Sequence, residues 1–353
     1  MRIVLGVLTL VLIGGASWVF LSDKESDFPV EKMNGVSLVA PPKPFEGDVF
    51  QPIVGVSANW VAIIPYAFIN GNSTGVSFDQ ERQWWGERTE GVLESIRLAK
   101  EKGLRVMLKP HVWVKGQGWA GDFALHSEKE WKAWERNYTR YILHHARLAD
   151  SLHVELFCIG TEFRKAVVQR EVFWNVLIER VREVYTGELT YAANWDNYEQ
   201  IMFWPQLDYI GLDAYFPLSM NASPSVKELK KAWEKPLMAI SQLQKEVGKP
   251  VLFTEYGYRS IDQATGKQWE LPTTRGRRQK TIQVNLQAQK NAYQALYEVF
   301  WSNTWFAGGF LWKWYSQHQK SGGEHCSDYT PQNKPAETII RRYYSKSQEV
   351  HER

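Results

Sequence analysis

Apolar runs of strand length recur along most of the chain, and stretches with apolar residues at helical spacing separate them. Most of the runs are apolar without alternation, which is typical of parallel strands that are covered on both faces. We predict strands at residues 34–40, 59–68, 104–112, 153–162, 189–195, 209–216, 250–258 and 308–315.

Helical patterns occupy the intervals between these strands. Ser127 and Glu130 form the sequence of a capping box, which predicts a helix start. The aromatic residues that follow recur at helical spacing, at Trp131, Trp134, Tyr138 and Tyr141. Other helices are predicted at residues 90–102, 170–186, 224–247 and 281–302, with weaker signals at 45–57 and 197–204.

The alternation of strands and helices predicts an α/β protein, a single (β/α)8 TIM barrel over residues 33–347. A doubly wound open sheet is the alternative. That fold usually carries a glycine-rich phosphate loop after its first strand, and no such loop is present. The barrel is therefore the better interpretation.

The first 20 residues, MRIVLGVLTLVLIGGASWVF, predict a signal peptide or membrane anchor, and residues 21–32 a polar linker. Small residues at 14–17 offer a cleavage point, but Trp18 and Phe20 extend the apolar run beyond it. We expect an exported protein, periplasmic or extracellular. Cleavage and membrane attachment through residues 3–20 both remain open.

Composition excludes some classes of function. A net charge of +3, with basic residues spread among acidic ones, gives no electrostatic footprint for nucleic acid. Neither the histidines nor the two cysteines have the spacing of metal ligands, so we expect no metal and no cofactor. The 17 Trp, 16 Tyr and 16 Phe residues suit a cleft whose flat aromatic faces stack on sugar rings.

Polar residues end several of the apolar strands, where the active site of a barrel lies. Glu162 ends the fourth predicted strand in CIGTE, and Glu255 ends the seventh in FTEY. Other strand ends carry Lys109, His111, Asn194, Asp213 and Tyr215. A single such residue is equally well explained as an ion-pair partner or a helix cap, but several on one rim point to a site, because desolvating unpaired charge is costly.

Two carboxylates facing each other across a barrel mouth indicate cleavage of a glycosidic bond. A retaining mechanism places the carboxyl groups about 5–5.5 Å apart, one as nucleophile and one as acid/base. Strand alternation predicts that Gly160, Cys158 and Leu156 point inward with Glu162. Cys158 is then a buried thiol that cannot reach Cys326.

The strand ends together resemble glycoside hydrolase family 113, a family of retaining enzymes built on (β/α)8 barrels. The segments that carry the resemblance are KPHVWV, IGTEF, AANWD, YIGLDAYFP, FTEYGY and GFLWKWY, in the same order and at strand ends. It implies endo-β-1,4-mannanase activity on β-linked polysaccharide or oligosaccharide, with retention of configuration.

The resemblance also implies roles for individual residues. Glu162 would be the acid/base and Glu255 the nucleophile, with Tyr215 hydrogen-bonded to Glu255. Trp312 would form a stacking floor under the sugar at the cleavage point. The residues implied to contact sugar hydroxyls are Lys109, His111, Asn194 and Asp213.

Two further points stay open in the sequence. The glycine- and tryptophan-rich loop at residues 111–123 is either a packed surface loop or a cleft wall, with Trp113 and Trp119 beside the cleavage point. The function itself has two alternatives: a retaining β-glycosidase acting on glucomannan, glucan or xylan, and a non-catalytic carbohydrate-binding barrel.

Overall fold

Parallel strands form a closed barrel in this computed structural model, which describes residues 31–117, 119–270 and 282–349. In chain order the strands are β1 (Met33–Leu38), β2 (Trp60–Ile63), β3 (Tyr66–Asn70), β4 (Arg105–Leu108), β5 (His111–Lys115), β6 (Leu156–Thr161), β7 (Glu188–Asn194), β8 (Ile210–Asp213), β9 (Val251–Tyr256) and β10 (Phe306–Trp314). The barrel runs β1-β10-β9-β8-β7-β6-β4-β2, and β2 pairs with β1 to close it. The predicted (β/α)8 barrel is confirmed.

Helices cover the outside of the barrel. They are α1 (Gln51–Gly55), α2 (Thr89–Glu101), α3 (Glu128–Ser151), α4 (Arg164–Gln169), α5 (Glu171–Arg182), α6 (Val226–Val247), α7 (Leu286–Phe300) and α8 (Pro335–Glu349). The capping box of Ser127 and Glu130 is present at the start of α3, as predicted. The weak helix signal at residues 197–204 is wrong, because that stretch holds only short 3-10 turns.

Two predicted strands are interrupted by proline. Pro65 and Pro110 follow β2 and β4, and proline has no N–H to donate to the ladder. Beyond these prolines the two chains pair again as β3 and β5, a separate two-stranded parallel sheet. Tyr141 of α3 donates to the carbonyls of both Pro65 and His111, 3.0 Å each, and so fixes the base of this pair.

The barrel interior is filled by apolar side chains such as Trp60, Met107, Leu156 and Phe310. Leu156 points inward as predicted, but Gly160 does not. A Cβ on Gly160 would lie 2.8 Å from the Tyr138 hydroxyl, among the helices. The alternation breaks because the register between β6 and β7 shifts between Cys158 and Thr161. Cys158 is a buried free thiol, as predicted, and Cys326 is also free.

The predicted signal or anchor at residues 1–20 and all but the end of the linker lie outside the described residues. Within the described part, no helix combines the length and the apolar character needed to cross a membrane. Export and attachment therefore stay predictions.

Candidate active site

Glu255 lies in β9 with its carboxylate at the floor of the barrel mouth, and only 5% of the residue is exposed. Its Oε1 accepts a hydrogen bond from Lys109 Nζ at 2.5 Å, and its Oε2 accepts one from the Tyr215 hydroxyl at 2.8 Å. His111 Nε2 lies 3.3 Å from Oε1, without hydrogen-bond geometry. Glu255 is thus held through both oxygens.

Lys109 and Asp213 form a buried pair beneath Glu255. Lys109 Nζ donates to Asp213 Oδ1 at 3.1 Å, and Thr254 Oγ1 donates to the same oxygen at 2.8 Å. The side chains of Lys109 and Asp213 are fully buried. The family resemblance implied that both residues contact sugar hydroxyls, but their burial favours an influence through Glu255 over direct contact with a ligand.

The surroundings of Glu255 favour its ionised form. Burial alone raises the pKa of a carboxyl group, but the positive charge of Lys109 and the contact with His111 outweigh it and lower the pKa of Glu255 to about 2. Glu255 is therefore a carboxylate at any pH above that value.

Glu162 directly follows β6, and its surroundings shift its pKa in the opposite direction. Its Oε2 accepts a hydrogen bond from the indole Nε1 of Trp119 at 2.5 Å. Burial, then the charges of Asp213 and Glu255, raise the pKa of Glu162 well above its usual value. Two carboxyl groups at one barrel mouth with their pKa values moved apart are the arrangement that acid and nucleophile roles require.

The remaining predicted residues lie around the same mouth. Asn194 donates through Nδ2 to Asp196 at 2.8 Å and lines the cavity beside Glu162. The rings of Trp312 and His111 are parallel, with centroids 6.1 Å apart. Trp113 and Trp119 both line the cavity that holds Glu162 and Glu255, so the described residues of the loop at 111–123 form a cleft wall and not only a packed surface loop.

Some site residues have no signal in the sequence. Tyr329 lines the same cavities as Glu162 and Tyr215. It lies in a loop that is far along the chain from the end of any strand. Arg164 bridges Asp122 and Asp196, at 2.8 and 2.9 Å, and lies over the ring of Trp119. Strand ends indicate where the barrel floor contributes groups, but they do not reveal what the loops above it add.

Three cavities meet at this mouth. The central one, about 430 Å³, is lined by both Glu162 and Glu255, together with Trp312. A second, about 470 Å³, is lined by Glu162 and Asn194. A third, about 810 Å³, starts at Trp312 and runs over the ends of β1 and β2. Among the described residues, no cluster of His, Cys, Asp and Glu is arranged to hold a metal ion.

Comparison with known families decides the class. The model of glycoside hydrolase family 113 matches residues 48–334, most of the chain. The chain belongs to glycoside hydrolase family 113. As a member of this family it is a glycoside hydrolase, which confirms the resemblance seen in the strand-end motifs.

Solved structures agree with the family. A family 113 β-1,4-mannanase is 26% identical, with a TM-score of 0.74 over 89% of this chain and 99% of that one. A complex structure of a family 113 β-1,4-mannanase is 25% identical, with a TM-score of 0.75 over 89% and 99%. The β-mannanase AaManA from Alicyclobacillus acidocaldarius, in complex with ManMIm, is 23% identical, with a TM-score of 0.77 over 91% and 100%. A search of curated proteins found no match.

Proposed function

We propose that this family 113 enzyme is an endo-β-1,4-mannanase that cleaves β-mannan and manno-oligosaccharides with retention of configuration. The observation that carries the proposal is the pair of carboxyl groups in one cavity, in surroundings that lower the pKa of Glu255 and raise the pKa of Glu162. The sugar specificity is supported by the similarity to solved structures of family 113 β-1,4-mannanases.

In the first step a carboxylate oxygen of Glu255 attacks the anomeric carbon of the sugar over Trp312. The bond from that carbon to the glycosidic oxygen breaks, and Glu162 gives its proton to the departing oxygen. The products are a covalent glycosyl-enzyme and the released reducing-end portion of the chain. Glu162 is left as a carboxylate.

In the second step Glu162 removes a proton from water, and the water oxygen bonds to the anomeric carbon. The ester bond to Glu255 breaks, and both carboxyl groups regain their starting states. Two inversions give net retention. Tyr215 and Lys109 hold the attacking carboxylate throughout, since each donates to one of its oxygens.

Azide rescue tests both roles. With an aryl β-mannoside that has a good leaving group, Glu255→Ala should lower activity by about 10⁴-fold or more. Added azide should restore turnover and give the α-glycosyl azide, because azide attacks in place of Glu255. Glu162→Ala with azide should give the β-glycosyl azide, because Glu255 still forms the covalent intermediate. A β-product from Glu255→Ala would contradict the assignment.

Substrate class is tested on the wild-type enzyme. Release of reducing ends should be fastest on β-mannan, against matched amounts of glucomannan, β-glucan and xylan. A strong preference for xylan or glucan would place the enzyme among the other retaining β-glycosidases. Tight binding of mannan without turnover would indicate a carbohydrate-binding barrel.

A further inference from the structure

The three cavities form one continuous track across the barrel mouth. The 430 Å³ central cavity and the 810 Å³ cavity share Tyr66, Trp113 and Trp312 as lining residues. At its other side, the central cavity shares Glu162 and Tyr329 with the 470 Å³ cavity. A chain of sugars that lies over the carboxyl groups can therefore extend in both directions.

The position of Glu162 gives this track a direction. In the proposed mechanism Glu162 protonates the departing oxygen, so the leaving portion of the substrate lies on the side of Glu162. The 470 Å³ cavity is lined by Glu162 but by neither Glu255 nor Trp312. The 810 Å³ cavity has Trp312 at its start and is lined by neither Glu162 nor Glu255.

We infer that the 810 Å³ cavity, here called the glycone groove, binds the non-reducing portion of the β-linked chain, with Trp113 and then Trp84 as successive stacking surfaces. The inference rests on the proposed function for the nature of the chain. It adds the polarity of the substrate and two binding residues beyond the cleavage point.

The two tryptophans are exposed to a degree that is unusual for so apolar a side chain. Trp113 is 49% exposed and Trp84 is 50% exposed, whereas most other tryptophans of the described residues are buried. Exposed indole faces beside a catalytic cleft are suited to the apolar faces of sugar rings. Polar side chains in the same groove offer hydrogen bonds to sugar hydroxyls: Asn70, Gln80, Gln83 and Lys115.

The backbone of Trp113 is held in a fixed position. It lies in the middle of β5, where its backbone is paired with Phe68 of β3. The base of this strand pair is tied to α3 through Tyr141. The stacking side chain is therefore carried by a hydrogen-bonded element, so no backbone has to be ordered when a sugar binds to it.

The order of the two surfaces follows from the cavities that they line. Trp113 lines both the central cavity and the glycone groove, so it lies nearer to the cleavage point. Trp84 lines the glycone groove only. We expect Trp113 to act on shorter oligosaccharides and Trp84 only on longer ones.

The test follows the bond that is cleaved in β-1,4-manno-oligosaccharides of three to six units. Hydrolysis in ¹⁸O-water labels the new reducing end, which belongs to the glycone product, and mass spectrometry then gives the cleavage position. Trp113→Ala should lower kcat/KM by about threefold to tenfold, the size of one stacked contact, and shift cleavage toward shorter glycone products. Trp84→Ala should do so only with the longer substrates.

Matched variants distinguish the loss of a stacking surface from a general loss of folding or activity. Trp113→Phe keeps an aromatic face and should retain most of the activity. Trp195→Ala alters the 470 Å³ cavity and should shift cleavage in the opposite direction. Val172→Ala, on an α5 side chain that is 77% exposed and outside the track, should leave the pattern unchanged.

An unchanged cleavage pattern in Trp113→Ala, or a shift in the same direction as Trp195→Ala, overturns the inference. If the wild-type enzyme cleaves β-glucan or xylan oligosaccharides instead of mannan, only the mannan proposal fails, and the inference about the glycone groove still stands. The same variants then test the polarity on that substrate. A wild-type protein that cleaves no β-glycan overturns both.

Discussion

The backbone of Glu162 is in the left-handed region, with a φ of 54°. A glutamate rarely adopts this conformation, and it costs on the order of 1–3 kcal/mol, so the surrounding structure has to impose it. Here the Glu162 N–H donates to the Ala192 carbonyl at 2.8 Å, and the next N–H donates to the Tyr191 hydroxyl at 2.8 Å. The strained residue is one of the two carboxyl groups of the site, where such strain is most often found.

Removal of Lys109 should move the acid limb of the pH profile. In Lys109→Met, burial still raises the pKa of Glu255, and the main positive charge that lowers it is gone. The nucleophile must be ionised, so the acid limb of kcat/KM should move to higher pH and the loss of activity should be largest at acid pH. The measurement is kcat/KM against pH for variant and wild type.

Lys132→Met on the surface of α3, with a side chain that is 65% exposed, is the control and should leave the profile unchanged. Lys109→Met should also be less stable by about 3–5 kcal/mol, because the buried carboxyl groups of Glu255 and Asp213 lose their cation. Protonation relieves them, so this instability should shrink as the pH falls. A uniform loss of kcat/KM with an unmoved acid limb would contradict the role of Lys109.

For individual residues, the sequence predicts which side chains meet at the barrel mouth but not the contacts that each one makes there. Glu162, Glu255 and Tyr215 could be found because they end apolar strands. A strand-end position does not distinguish a group open to the cavity from one paired beneath it, so the burial of Lys109 and Asp213 could not be predicted. The hydrogen bond from Trp119 to Glu162 depends on a loop conformation with no pattern in the chain.

Among the elements, α3 is long and begins with a capping box in which Ser127 and Glu130 satisfy each other's backbone N–H groups. Ser127→Ala should lower the free energy of unfolding by about 1 kcal/mol and leave kcat/KM unchanged, because the cap is far from the carboxyl groups in the chain and on the outer layer. Urea unfolding measures the change.

Ser151→Ala, at the other end of α3, serves as the comparison, since within the described part of the chain that hydroxyl donates only to the Leu148 carbonyl, at the exposed surface. Equal losses in the two variants would mean that the hydroxyl of Ser127 does not act as a cap.

Elements with strong local signals were predicted, and those whose limits depend on tertiary structure were not. The strands appear as apolar runs, and the start of α3 has its own motif. The helices α4 and α8 were not predicted. The first has only six residues, and α8 follows the last strand, where no further strand marks its end. The shift in β6 that turns Gly160 outward depends on its pairing with β7, which a single strand does not reveal.

For the whole molecule, the segment before the barrel predicts export. The native chain, expressed in a bacterial host, should leave the cytoplasm, and a variant lacking residues 1–20 should remain inside with its kcat/KM unchanged, because β1 begins at Met33. Fractionation followed by N-terminal sequencing separates a cleaved signal from a retained anchor. Equal cytoplasmic retention of both proteins would contradict export.

The two carboxyl groups are tethered unequally. Both oxygens of Glu255 accept hydrogen bonds, whereas among the described residues the Glu162 carboxyl group has the single hydrogen bond from Trp119. Bond formation at one carbon tolerates little drift of the attacking atom, so a clamped nucleophile lowers the reorganisation needed to react. A proton shuttle serves two different oxygens in turn, first of the departing sugar and then of water. With a single hydrogen bond, the Glu162 carboxyl group can rotate from the oxygen of the departing sugar to that of water.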